Sequence, residues 1–409
     1  MTKTIAIVGT LDTKHKEFQF IKDLIQSHGY NTLMIHAGVF EPGIEVDISN
    51  QTIANEVDED IDAIAKEENR AKGTDALSRG LAKLLPKVYA EGKFNGVISL
   101  GGSGGTSIAT AGMRELPIGV PKVMVSTMAS GNISQYVGTS DIVMIPSIVD
   151  VAGLNDISKH IFTNAVHAIC GMVEHDYVSD KSQKPLIAAS MFGLTTPVIT
   201  KATELLENLG YEVIVFHATG TGGRTMENLI ENNYFAGVLD LTTTEWADEL
   251  FGGVLNAGEH RLEAAVKNEV PQIVSLGALD MVNFGPEDTV PDKFNDRLFY
   301  RHNPSVTLMR TTPEENRKLG QMIVSKLKDA KESTVLMIPT KGFSGLDSEG
   351  KEFYNPEANQ TLIDTLIDEL TDSKVQMVEV SANINDDLFA ETAVDQLVQL
   401  IQNKGENKE

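Results

Sequence analysis

Val97-Ile98-Ser99-Leu100-Gly101-Gly102-Ser103-Gly104-Gly105-Thr106 is the stretch on which the fold turns. Val97, Ile98 and Leu100 mark a buried strand, the glycine-dense run a tight loop, and residues 106–116 a helix that opens at that loop. Together they make half of a βαβ unit. Glycine admits positive φ and lets a ligand approach the main chain, while free N–H groups at a helix start favour an anion, so phosphate is the expected guest. The spacing departs from G-x-G-x-x-G and no Gly-Lys-Ser/Thr follows, so neither the dinucleotide fingerprint nor a P-loop is present. A turn that only packs helix against strand would carry the same glycines.

The flanking segments repeat the strand–loop–helix rhythm. Thr4-Ile5-Ala6-Ile7-Val8 reads as a strand, Gly9-Thr10-Leu11-Asp12-Thr13-Lys14 as its loop, and residues 16–28 as a helix with Phe18, Ile21, Leu24 and Ile25 on one face. Residues 30–36 return as a strand, and residues 75–89 read as a helix that Pro86 should kink or break. After residues 120–125, a further strand, comes the hydroxyl-rich loop Ser126-Thr127-Met128-Ala129-Ser130-Gly131. Ligands of open α/β sheets bind outside the carboxyl ends of the strands, so the loops after these three strands are expected to meet at one site. There Asp12 would accept from a ribose hydroxyl or hold Mg²⁺, Lys14 would offset phosphate charge, and Ser103 and Thr106 would donate. Residues 141–145 and 156–174 supply a last strand and a closing helix, and Lys181-Ser182-Gln183-Lys184 a linker.

The second half echoes the first. Leu209-Gly210-Tyr211-Glu212-Val213-Ile214-Val215-Phe216-His217-Ala218 parallels His28-Gly29-Tyr30-Asn31-Thr32-Leu33-Met34-Ile35-His36-Ala37 at an offset of 181, as Phe235-Ala236-Gly237-Val238 parallels Phe94-Asn95-Gly96-Val97 at a shorter one. The expected fold is therefore α/β, with two tandem Rossmann-like, doubly wound parallel-sheet domains related by an internal repeat, at 1–180 and 181–409, the second carrying extra strand–helix units. Where the first half has its glycine loop, the second has Thr242-Thr243-Thr244-Glu245-Trp246; its own glycines, Thr219-Gly220-Thr221-Gly222-Gly223-Arg224, precede a helix at which Arg224 could clamp an anion. His36 and His217 fall at equivalent strand ends, which argues for one shared structural task.

A formal charge of −24 over 409 residues disfavours nucleic acid and anionic membranes as partners, and no apolar run approaches the length of a membrane span. The amino terminus has no targeting pattern, so a cytoplasmic location is expected. The one cysteine, Cys170, excludes an internal disulfide and sits in an apolar helical stretch, as a core residue would.

Beyond single motifs, Gly9-Thr10-Leu11-Asp12-Thr13-Lys14, Gly101-Gly102-Ser103-Gly104-Gly105-Thr106, Leu116-Pro117-Ile118-Gly119-Val120-Pro121-Lys122, Ser126-Thr127-Met128-Ala129-Ser130-Gly131, Tyr136-Val137-Gly138-Thr139-Ser140-Asp141 and Asp150-Val151-Ala152-Gly153-Leu154-Asn155 occur together. In this the chain resembles an uncharacterised bacterial, fungal and plant protein family that includes the N-terminal inhibitory domain of the tomato mosaic virus resistance protein. The resemblance covers essentially the whole length and implies two Rossmann-like domains, ATP binding and a homodimer, with no established reaction. On the residues themselves the leading expectation is a nucleotide site at Gly9, Thr10, Asp12, Thr13, Lys14, Gly101 to Thr106, Ser126, Thr127, Ser130 and Gly131. Two alternatives stand beside it. One is an enzyme acting on a sugar- or acid-phosphate in an interdomain cleft, with Lys341, Ser344 and Asp347 completing the site and Asp141, Asp150 or Asp347 moving protons. The other is an interaction scaffold that nucleotide stabilises.

Overall fold

The computed structural model describes residues 2–67, 69–175 and 184–406, so residues 181–183 of the expected linker lie outside the described residues. The chain divides into two compact units, Met1–Ser179 and Asp180–Glu409. Among the described residues the first unit holds a five-stranded parallel sheet in the order β2-β1-β3-β4-β5, formed by β1 (Thr4–Gly9), β2 (Asn31–His36), β3 (Gly96–Gly101), β4 (Lys122–Ser126) and β5 (Val143–Pro146). Ile5, Ile7 and Ile98 face one side with Phe18, Ile21 and Phe162, while Ala6, Val8 and Val97 face the other with Leu77, Leu81 and Ile108. Period-two alternation in strands that are apolar on both faces is what a sheet covered by helices on both sides requires. Helices His15–Ser27 and Asp156–Glu174 cover the first face; Arg70–Ala90 and Ser103–Arg114 cover the second.

The sheet order places the topological switch point between β1 and β3, where connections leave in opposite directions and their loops open a crevice. Two expectations change here. The helix over 75–89 begins at Arg70 and runs through Pro86 to Ala90, because packing of Leu77, Leu81, Leu84, Leu85 and Val88 outweighs one missing N–H. The helix after β3 begins at Ser103 rather than residue 106, so three of the supposed loop residues are its first turn.

Among its described residues the second unit has a six-stranded parallel sheet in the order β14-β13-β9-β8-β6-β7, from β6 (Leu186–Met191), β7 (Glu212–His217), β8 (Gly237–Thr242), β9 (Gln272–Gly277), β13 (Thr334–Pro339) and β14 (Gln376–Val380). A small antiparallel sheet, in the order β10-β12-β11, lies between β9 and β13 in sequence: β10 (Met281–Phe284), β11 (Phe299–Asn303) and β12 (Val306–Arg310). Nothing in the strand–helix rhythm announces it. In the large sheet Ile187 pairs with Val213 and Gly237, as Ile5 pairs with Thr32 and Gly96 in the first unit. The first strands thus correspond at an offset of 182, one more than the second strands, and β8 corresponds to β3 at 141.

Candidate functional site

A cavity of about 190 Å³ opens at the switch point of the first unit. Thr10, Asp12 and Thr13 from the loop after β1 line one wall, and residues 37–40 after β2 line the next. Gly104 and Gly105, in the first turn of Ser103–Arg114, form the third wall, and Arg70 and Thr74 from Arg70–Ala90 face them.

The glycines work by size. None of Gly101, Gly102, Gly104 and Gly105 has positive φ, which corrects the expectation drawn from their number. A Cβ on Gly104 would meet nothing within 4 Å, so its missing side chain is part of the open space. Gly102 precedes the helix with φ −80° and ψ −163°, no side chain caps the helix start, and its first turn has no acidic residue. The leading N–H groups and the positive end of the helix dipole are therefore available to an anion.

Asp12 ties two walls together: one carboxylate oxygen accepts the Thr13 N–H at 2.9 Å and the other the Phe40 N–H at 3.2 Å. Buried His36 sets the same loops, since Nδ1 accepts from the Leu11 and Gly38 N–H groups, which leaves the ring proton on Nε2 to donate to the Phe40 carbonyl at 2.7 Å. The Arg70 guanidinium lies 5.7 Å from the Phe40 ring centroid, which places a cation at the cavity wall. Arg70 had no local signature in the sequence, because it comes from the beginning of a helix whose apolar period starts only later.

The other candidates lie elsewhere. Lys14 donates to the Val151 carbonyl and does not line the cavity. Thr106 is buried, its hydroxyl bonded to Gly102 O and to Ser126 Oγ, both at 2.7 Å, so these two residues clasp the helix start to β4 instead of facing a ligand. Gly9 ends β1 against the Phe18 ring, and Gly101 ends β3 against the Gly105 backbone. Ser103 is exposed outside the cavity lining. Thr127, Ser130 and Gly131 follow β4, which lies on the far side of β3 from β1; Thr127 adjoins Gly102 but none of the three lines the cavity. The third loop at the site is thus the one after β2.

Asp141 is committed to Lys122 Nζ at 2.5 Å and the Gly119 N–H at 2.8 Å, while Asp150 stands exposed. Burial pushes the Cys170 thiol up to about 11, in keeping with a core residue. His217 is exposed, its ring beside Phe192, and so does not share the task of buried His36.

In the second unit the corresponding crevice is filled from within. The β3–β8 register makes Glu245 the counterpart of Gly104. Its Oε1 accepts the N–H groups of Gly220, at 2.7 Å, and Gly223, at 3.2 Å, where helix Thr221–Glu231 begins. The expected clamp there, Arg224, is exposed; buried Arg261 takes the role, donating to Glu245, Asp240 and Glu227. Further along this sheet, Ser344 donates to Asp280 at 2.7 Å and Asp347 accepts from Asn359 at 2.7 Å, so both sit in a buried network, whereas Lys341 lines a separate cavity.

Among the described residues no group of three or more His, Cys, Asp or Glu is placed to hold a metal, and no helix is long and apolar enough to cross a membrane. The chain is 50% identical over 403 residues to a UPF0261 protein of Clostridium tetani, covering 98% of this chain and 100% of that one. It is 40% identical over 417 residues to the ToMV resistance protein Tm-1(GCR237) of Solanum lycopersicum, covering 96% of this chain but 55% of the tomato protein. A UDP-N-acetylglucosamine 2-epimerase structure from Rickettsia bellii aligns over 98% of this chain and 96% of that one at 10% identity with a TM-score of 0.21, too low to carry an argument. Residues 3–177 match the N-terminal domain and residues 184–401 the C-terminal domain of the uncharacterised protein family UPF0261, and the chain belongs to that family.

Proposed function

We propose that the first unit binds a nucleotide, ATP, through its phosphates, at the cavity between Gly104, Arg70 and Asp12. The observation that carries this reading is Glu245. In the second unit the fold sets a carboxylate at the switch point, held by an arginine and by two backbone N–H groups where the helix after β7 begins; in the first unit the same position is Gly104, in the uncapped first turn of the helix after β3, with an arginine and open space beside it. A phosphate supplies from solution the charge that Glu245 supplies from the chain.

The fit sets limits on the pose. Ligand pockets for whole small molecules run to roughly 300–1,000 Å³, so a cavity of about 190 Å³ suits the phosphates, with ribose and base extending out of it. Asp12 brings negative charge to the wall, and Mg²⁺, which commonly uses one or two carboxylates together with phosphate oxygens, would offset it there. The matching strand order and register of the two sheets support descent of both units from one ancestor. The homodimer that the family resemblance implies, and a cytoplasmic setting, belong to the same reading.

Titration calorimetry with ATP and Mg²⁺ tests it. Arg70→Ala should weaken binding about tenfold or more, as loss of a charge-assisted contact does, with the fold intact because Arg70 is on the surface. ATP binding equal in wild type and Arg70→Ala, or absent from the wild type, would refute the assignment. Phosphate release in the same samples separates binding from hydrolysis.

A further inference from the structure

The second unit holds a cavity of about 510 Å³ whose construction differs from that of the first. It opens at the carboxyl ends of β13 and β14, the edge of the sheet farthest from β6 and β7. Thr340 and Lys341 follow β13, and their N–H groups donate to the Val380 and Ala382 carbonyls at 3.0 Å, so the main chain stays paired beyond the sheet and the wall is rigid.

Two amides form fixed parts of the lining. Asn359 donates to Asp347 at 2.7 Å and accepts from Arg310 at 2.7 Å, and Asn383 donates to Ser348 Oγ at 3.0 Å and to the Ser344 carbonyl at 3.1 Å. Asp386 accepts the Asn383 N–H through one oxygen at 2.8 Å. Lys341 makes no ion pair among the described residues, and Tyr354 stands exposed at the wall.

This lining selects by chemistry. Side-chain amides, hydroxyls and carboxylates outnumber the apolar members Pro356 and Ile363, so an apolar ligand would strand polar groups. A ligand carrying many hydroxyls satisfies donors and acceptors together, because each hydroxyl both gives to a carboxylate and takes from an amide. Lys341 adds one cation for one anionic group, and the volume fits a six-carbon molecule with its hydration.

We propose that this cavity binds a monosaccharide-sized polyhydroxy anion, its charged end on Lys341 and its hydroxyls on Asp386 and on the second amide hydrogen of Asn359, the first being held by Asp347. The charged end is a carboxylate or a phosphate. The proposal does not rest on the nucleotide reading of the first unit.

Saturation-transfer NMR and calorimetry on the full chain with gluconate, glucose 6-phosphate and glucose test it. One or both anions should bind, glucose should bind about tenfold more weakly or not at all, and the preferred anion identifies the charged end. Lys341→Met and Asp386→Asn should each weaken the anion about tenfold or more. Absence of binding by both anions, equal binding of glucose, or undiminished binding in both variants while circular dichroism shows them folded, would overturn the proposal.

Discussion

Arg261 donates its Nε–H to Glu245 at 2.7 Å, and both residues are buried, 1% exposed each. The guanidinium also grips Asp240, with Nη2 to Oδ1 at 2.6 Å, and reaches Glu227 at 3.1 Å. Three carboxylates thus share one arginine in the interior, and burial pushes the Glu227 carboxyl above the usual range despite that arginine. The arrangement fixes Glu245 against the start of helix Thr221–Glu231 and closes the crevice that Gly104 leaves open in the first unit.

Gly104→Glu should therefore close the first cavity in the same manner. A Cβ meets nothing within 4 Å and φ is not positive, so stability should change by no more than about 1 kcal/mol, a helical glycine being replaced by a better helix former near the favourable end of the dipole. ATP affinity should fall at least about a hundredfold, from lost space and added repulsion. Calorimetry and a thermal melt on one sample check both halves; full affinity in a folded variant would place the phosphates elsewhere.

Arg261→Met should destabilise the second unit by about 3–5 kcal/mol, because it leaves Asp240, Glu245 and Glu227 buried without their cation. Urea unfolding followed by tryptophan fluorescence reads this directly, as Trp246, the one tryptophan, adjoins Glu245. A midpoint within error of the wild type would mean that the network contributes nothing net to the fold.

Stability should decline with rising pH over the window set by Asp280. Burial and the nearby Asp347 push its carboxyl up to about 7, against 3.8 in the unfolded chain. Between those values the folded state holds the proton that the unfolded state has released, so stability falls as pH rises from about 4 to 7 and levels off above. Asp280→Asn, a neutral isostere that can still accept from Ser344, should remove this component and raise stability at pH 8 by up to about 4 kcal/mol, with little gain below pH 4. Denaturant midpoints at pH 4, 6 and 8 check the slope; parallel curves for variant and wild type would show that Asp280 ionises normally in the fold. Asp248, also pushed up to about 7 by burial, should keep part of the slope in the variant.

By itself the sequence determined the two α/β units, most of their strands and the place of the glycine run at the end of β3, because each is written locally: apolar alternation within a strand, a helical apolar period, a glycine after it. The tertiary structure decided which groups meet. Lateral strand order has no local signature, and it is the order β2-β1-β3-β4 that brings the loop after β2 and Arg70 to Gly104 while setting Ser126, Thr127, Ser130 and Gly131 on the other side of the helix start. It turned Lys14 to a carbonyl and Thr106 to Ser126, since buried polar groups take the nearest partner rather than await a ligand. It also made the glycines matter for the space they leave rather than for positive φ, a distinction that depends on what packs around them. The carboxylate that Glu245 places in the second crevice lies 25 residues from Gly220 and 16 from Arg261, so only the folded chain joins the three.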